Sequence, residues 1–149
     1  MNIRAANFED ADSLVEFNQA MALETEAKQL DTKILQSGVE AVLRDQSKGF
    51  YAVAENDGKI VGGLMVTFEW SDWRNGWFWW IQSVYILPEF REKRIYRRLY
   101  DFVKQNAEQK KDVCGFRLYV ERENINAQKV YEKCGMEASH YLMYEEMIK

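Results

Sequence analysis

The stretch from Trp77 to Leu87, WFWWIQSVYIL, constrains this chain more than any other part of it. A strand with one wet face alternates apolar and polar residues. This one is too continuously apolar for that and reads as a central strand covered on both sides. Within a few residues the character changes. Arg91, Lys93, Arg94, Arg97 and Arg98 crowd into a short segment of a chain whose formal net charge is −4. A helix opens near Arg94, so strand, basic turn and helix follow one another. A helix N-terminus presents backbone N–H groups outside the helical ladder and carries a partial positive charge. Basic side chains around it raise the potential further, and the expected ligand is a polyphosphate, most simply a diphosphate.

The rest of the chain supplies the frame for that unit. NIRAA reads as a short strand, and Asn7 can cap a helix in which Leu14, Val15, Phe17, Ala20 and Met21 recur at helical spacing. A second helix is expected from Asp31 to about Asp45, with Ile34, Leu35, Val39, Val42 and Leu43 as its apolar stripe. Asn56-Asp57-Gly58 then joins two strands as a hairpin. After the basic turn and its helix come a strand at CGFRLYV, a short helix ending at Gly135, and a last strand at SHYLMYEEM. A left-handed cap suits Gly135. No repeat, low-complexity segment or linker interrupts the 149 residues, so one mixed α/β domain spanning 1–149 is expected.

Several classes are disfavoured. No apolar run reaches the roughly 20 residues that cross a bilayer. Acidic residues near the start replace the apolar stretch of a secretory signal, which makes a cytoplasmic protein the expectation. Cys114 and Cys134 lack metal-ligand spacing and are expected to be reduced packing residues, as is the lone His140, so no metal is expected. The acidic balance argues against a nucleic-acid binder.

The segment ENINAQKVYEKCGM places Asn124, Ala127, Tyr131 and Gly135 in the spacing N-x-x-A-x-x-x-Y-x-x-x-G-M. Together with the basic turn after SVYIL, it resembles the GNAT superfamily of N-acetyltransferases over nearly the whole chain. The resemblance implies a single mixed-sheet acyl-CoA N-acyltransferase fold, acetyl-CoA as cosubstrate, and a small-molecule or peptide amine as acceptor. It implies that the backbone at Val84 and Ile86 pairs with pantetheine as an added strand would. Arg91 matches the leading Arg of the family's R-x-x-G-x-G/A turn. The backbone of Glu92, Lys93, Arg94, Ile95, Tyr96 and Arg97 would then cradle the CoA diphosphate. Asn124 matches a cofactor contact, and Tyr131 matches the proton donor to the leaving thiolate. The chain departs from the pattern at Arg94 and Tyr96, where the family prefers small residues. A residue keeping ordinary helical dihedrals there would point its side chain outward. The departures keep a non-catalytic acyl-CoA-binding domain as the alternative.

The remaining site expectations come from the residues themselves. Backbone N–H near Val84 and Tyr85 could meet a developing oxyanion. Tyr131, with a reference pKa of about 10, matches a thiol leaving group. Glu24 and Glu26 could attract a cationic amine, and the aromatic faces of Trp70 and Trp73 could hold one. Along the strand, Trp77, Trp79, Ile81, Ser83 and Tyr85 are expected to share one face, with Phe78, Trp80, Gln82, Val84 and Ile86 on the other. Exposed tryptophans would support a homodimer.

Overall fold

The computed structural model describes residues 1–149. Its elements run β1 (Asn2–Ala5), α1 (Ala11–Glu26), α2 (Thr32–Arg44), β2 (Phe50–Asn56), β3 (Lys59–Ser71), β4 (Gly76–Ile86), α3 (Ile95–Glu108), β5 (Val113–Arg117) and α4 (Ile125–Lys133). Two compact units are present, Met1–Leu118 and Tyr119–Lys149.

The first unit is a five-stranded sheet in the order β1-β2-β3-β4-β5. The pairs from β1 to β4 are antiparallel, and β4 pairs with β5 in parallel. The sheet is therefore mixed, with α3 as the crossover between its parallel strands. Local chemistry accounts for most of the boundaries. The Asn7 side chain accepts the Glu9 N–H (3.0 Å) while Asp10 accepts the Asn7 N–H (2.8 Å), closing a 3-10 turn ahead of α1. The Asp31 carboxylate accepts from the amides of Lys33 (2.9 Å) and Ile34 (3.1 Å) at the start of α2. Asp57 and Gly58 both have positive φ (51° and 76°) between paired Asn56 and Lys59, as a two-residue hairpin turn requires.

One face of the sheet carries α1 and α2, with Leu14, Val15, Val39, Tyr51 and Val53 packed together. Leu35, Val42 and Leu43 of the expected α2 stripe join that cluster, whereas Ile34 is exposed. The other face carries α3, whose Ile95, Tyr96, Leu99, Tyr100, Val103 and Ala107 are buried at helical spacing. Tyr100 meets Phe116 of β5 edge-on at 5.6 Å, and Phe116 lies beside Trp79 in β4. Trp79 in turn touches Phe50 (5.4 Å) and Phe68 (5.7 Å). These aromatic contacts are edge-to-face or tilted, which suits their ring quadrupoles.

In the second unit the Asn124 side chain accepts the Ala127 N–H at 3.2 Å and so opens α4. At the other end the Gly135 amide bonds the Glu132 carbonyl and the Met136 amide bonds the Tyr131 carbonyl. With Gly135 at φ +97°, this is the expected left-handed cap. The expected last strand is not formed: no residue beyond Gly135 enters a ladder. Its side chains suit a strand, but side chains do not specify which edge would receive it. Cys114 and His140 are exposed rather than packed, and neither cysteine is in a disulfide. The Cys114 thiol lies 3.4 Å from the Trp77 carbonyl.

Candidate active site

The site is built on the last third of β4. Gln82 pairs with Met65 and Tyr85 with Gly63, so Ser83 and Val84 together oppose Leu64 alone. Ser83 takes φ +52° within this bulge. An extra residue reverses the alternation of every side chain after it. Tyr85 therefore does not share a face with Trp77, Trp79 and Ile81, as strict alternation predicts. It faces α1, with its ring 5.4 Å from Phe17. β5 pairs with β4 only from Trp77 to Trp80. Ile81–Ile86, including Val84 and Ile86, thus has no strand partner on that side. An extended ligand could add there as a strand would.

Past Ile86 the chain turns sharply. The Leu87 amide bonds the Val61 carbonyl (2.9 Å), a 3-10 turn covers Pro88–Phe90, and the Arg91 amide bonds the Pro88 carbonyl (3.2 Å). Glu92 and Arg94 then both take φ +62°. Arg94, at ψ 24°, is the N-cap of α3. It does not keep ordinary helical dihedrals: the arginine adopts the conformation that glycine would adopt without cost. For a side chain that costs about 1–2 kcal/mol. Arg98 donates to the Arg94 carbonyl (3.1 Å), so the backbone N–H groups from Glu92 to Arg97 come before the helical ladder begins. Tyr96 is different. It is helical, buried and stacked on Tyr100 at 6.0 Å and 11°, with its ring used in the core.

Three residues far apart in sequence meet beside this turn. Glu24, near the end of α1, accepts a hydrogen bond from the Tyr85 hydroxyl at 2.5 Å. It also forms an ion pair with Arg91 at 2.9 Å. Arg91 Nε donates to the Ile86 carbonyl at 2.9 Å, and its guanidinium sits 5.3 Å above the Tyr85 ring. The Tyr85 bond above all holds the Glu24 carboxyl below its usual range; burial opposes it, and Arg91 adds to the lowering. Burial, and then the facing carboxylate, push the Tyr85 phenol up. Strand-pattern reasoning missed Tyr85 because the bulge that redirects it contains no glycine to announce it.

The other sequence candidates are more scattered. Lys93 lies over the Phe90 ring (5.2 Å), Arg98 donates to the Met1 carbonyl (3.2 Å), and the side chains of Arg94 and Arg97 are exposed. Glu26 is exposed at the last position of α1. Trp70 packs edge-on against Trp77 at 4.9 Å, and Trp73 is 89% exposed in the β3–β4 turn. Trp77 is six residues from Ser83, about 20 Å along a strand. The structure therefore does not bring Trp70 and Trp73 to the bulge, the Glu24 cluster or the turn. Asn124 and Tyr131 belong to the second unit. Burial pushes the Tyr131 phenol above its ordinary pKa. Sequence reading also missed a polar group on β3, β4 and β5: Glu69 accepts from Trp80 Nε1 (2.8 Å) and Arg117 (2.9 Å), while Gln82 donates to Thr67 (2.5 Å). Its members pair across strands, which needs the register to be known.

The model of the acetyltransferase (GNAT) family matches residues 11–136. The chain belongs to that family. A possible acetyltransferase from Clostridium difficile 630 is 45% identical, with a TM-score of 0.91 over 99% of this chain and 97% of that one. A predicted acetyltransferase from Clostridium acetobutylicum, solved with acetyl-CoA, is 18% identical, with a TM-score of 0.79 over 97% of this chain and 95% of that one. The ribosomal-protein-alanine N-acetyltransferase of Brucella melitensis biovar Abortus 2308 shares the fold at 18% identity and a TM-score of 0.79, covering 99% of each chain. No protein of curated function matches. The mixed sheet with helices on both faces is the acyltransferase architecture that the family membership implies.

Proposed function

We propose that this GNAT-family protein is an acetyl-CoA-dependent N-acetyltransferase acting on a primary amine, either a small molecule or a peptide. The observation that carries this reading is the open, bulged end of β4 leading directly into the left-handed turn at Glu92–Arg94 and the start of α3. A strand edge suits the amide-bearing pantetheine arm, and amides ahead of a helical ladder suit a diphosphate. Arg94 keeps the glycine-like backbone, so the altered motif still presents its amides. A non-catalytic acyl-CoA-binding domain would use the same amides, so turnover is what separates the two.

The chemistry needs few groups. The amine nitrogen attacks the thioester carbonyl, and its carbon–nitrogen bond forms as the carbon–sulfur bond breaks. Backbone N–H near Val84 and Tyr85 meets the developing oxyanion. The electron pair leaves on sulfur, the Tyr131 hydroxyl protonates the thiolate, and the amine's proton passes to solvent. A phenol held above its ordinary pKa by burial stays protonated at neutral pH, as a donor must. Glu24 is a poor base because Tyr85 and Arg91 stabilise its ionised form. Its charge can still draw in a cationic amine.

The test follows acetyl-CoA consumption with polyamines, aminoglycosides, amino acids and peptides as acceptors. Turnover with at least one amine is expected, and Tyr131→Phe should lower kcat by about 10²-fold or more with CoA affinity nearly unchanged. Binding of acetyl-CoA without turnover of any amine would favour the non-catalytic reading. Full turnover by Tyr131→Phe would leave the proton to water.

A further inference from the structure

We propose that Glu24 is a positioning residue for the cofactor. With Tyr85 it holds Arg91 across the Ile86 carbonyl and so fixes the Glu92–Arg94 turn before a diphosphate arrives. This role rests on the acetyl-CoA reading above and places Glu24 on the cofactor side of the site. Glu92 and Arg94 both take φ +62° without being glycine. Such residues persist only where their surroundings over-determine them. Backbone bonds hold part of the turn, from the Phe90 amide to the Leu87 carbonyl (2.9 Å) and from the Arg91 amide to the Pro88 carbonyl (3.2 Å). The side chain of Arg91, directly before Glu92, supplies the rest. Its Nε donates to the Ile86 carbonyl (2.9 Å), its Nη2 donates to Glu24 (2.9 Å), and its guanidinium lies 5.3 Å above the Tyr85 ring.

The direction of these bonds matters. The Leu87 amide points to Val61 on the β3 side (2.9 Å). In a trans peptide the Ile86 carbonyl must point the other way, toward the open edge of β4. There Arg91 Nε takes it. An extended arm added along β4 therefore meets the guanidinium at Ile86, where strand pairing ends and the turn begins. Glu24 sets that guanidinium in place. Its Oε1 accepts from Arg91 and its Oε2 from the Tyr85 hydroxyl, so one carboxylate ties α1 both to β4 and to the turn. Parts arranged before the ligand arrives lose less freedom when it binds. Charge alone predicts the opposite effect from positioning. A carboxylate repels a diphosphate, so by charge its removal would tighten CoA binding. By positioning, its removal weakens CoA binding.

The experiment titrates the full chain with CoA, and with pantetheine, which lacks the diphosphate, following amide signals by NMR. The proteins are wild type, Glu24→Ala, Arg91→Ala and the double variant. Glu24→Ala should raise the Kd for CoA on the order of tenfold, the scale of one charge-assisted hydrogen bond, and leave that for pantetheine within about twofold. Once Arg91 is replaced, removing Glu24 should weaken CoA no further, because the two act as one unit. Unchanged or tighter CoA binding by Glu24→Ala overturns the proposal. So do equal losses for CoA and pantetheine, the mark of a general disturbance of the fold. Additive losses in the double variant overturn it as well, since Glu24 would then act without Arg91. A wild type that binds neither ligand is a different result: the acetyl-CoA reading itself fails, and the proposal with it. If circular dichroism shows Glu24→Ala unfolded, Tyr85→Phe removes a single hydroxyl and should give a smaller loss, again for CoA and not pantetheine. Wild-type CoA affinity in that variant would then overturn the proposal.

Discussion

Arg94 shows what a single residue holds in place. Its left-handed conformation is one that glycine reaches freely, so Arg94→Gly should relieve about 1 kcal/mol and raise the melting temperature by a few degrees. If backbone amides hold the diphosphate, the same variant should keep CoA affinity within a few-fold, since an exposed charge is screened by water and salt. A large loss of affinity, measured by titration calorimetry, would instead assign the phosphate to the guanidinium. Glu24 makes a prediction in pH. Its folded pKa is depressed, first by the Tyr85 hydroxyl, so its stabilising contribution is present above the unfolded value of about 4.3 and is lost as acid protonates the folded carboxylate. Tyr85→Phe should therefore lower the melting temperature at pH 7, and the gap to wild type should narrow below pH 4. A constant gap would mean that the hydroxyl acts by packing alone. The basic turn was legible in the sequence because its residues are adjacent. The Glu24 cluster was not, because its partners lie 61 and 67 residues from Glu24 and meet only once α1 crosses β4.

At the scale of elements, the bulge in β4 is the feature on which the site depends. Deleting Ser83 should restore strict alternation, turn Tyr85 toward α3 and break its bond to Glu24. The deletion variant should lose CoA binding and several degrees of stability, while Ser83→Gly, which keeps the left-handed position, should lose neither. Equal damage from both would move the importance from the backbone to the serine hydroxyl. The hairpin at Asp57-Gly58, the cap at Gly135 and the start of α3 near Arg94 were readable because each follows from a few adjacent residues. The bulge was hidden by the absence of glycine. The segment at 139–147 was read as a strand from its side chains, but side chains do not say which edge, if any, will receive it.

For the molecule as a whole, acetyl-CoA should protect against heat. A ligand bound only by the folded state adds about 2.7 kcal/mol at 100 times its Kd. ATP or short DNA at the same concentration should shift the melting temperature much less, and an equal shift with DNA would favour a nucleic-acid ligand. The mixed sheet brings one further consequence. Every tryptophan lies between Trp70 and Trp80, on β3, β4 or the turn between them, and Tyr119–Lys149 has none. Ultraviolet emission excited at the red edge is therefore a local gauge of one hairpin and is blind to loosening of α4. Trp73 lies in water while Trp79 is enclosed, so acrylamide should quench the glow in two populations before denaturant is added. A melt followed by emission and by ellipticity will coincide only if both compact units come apart together.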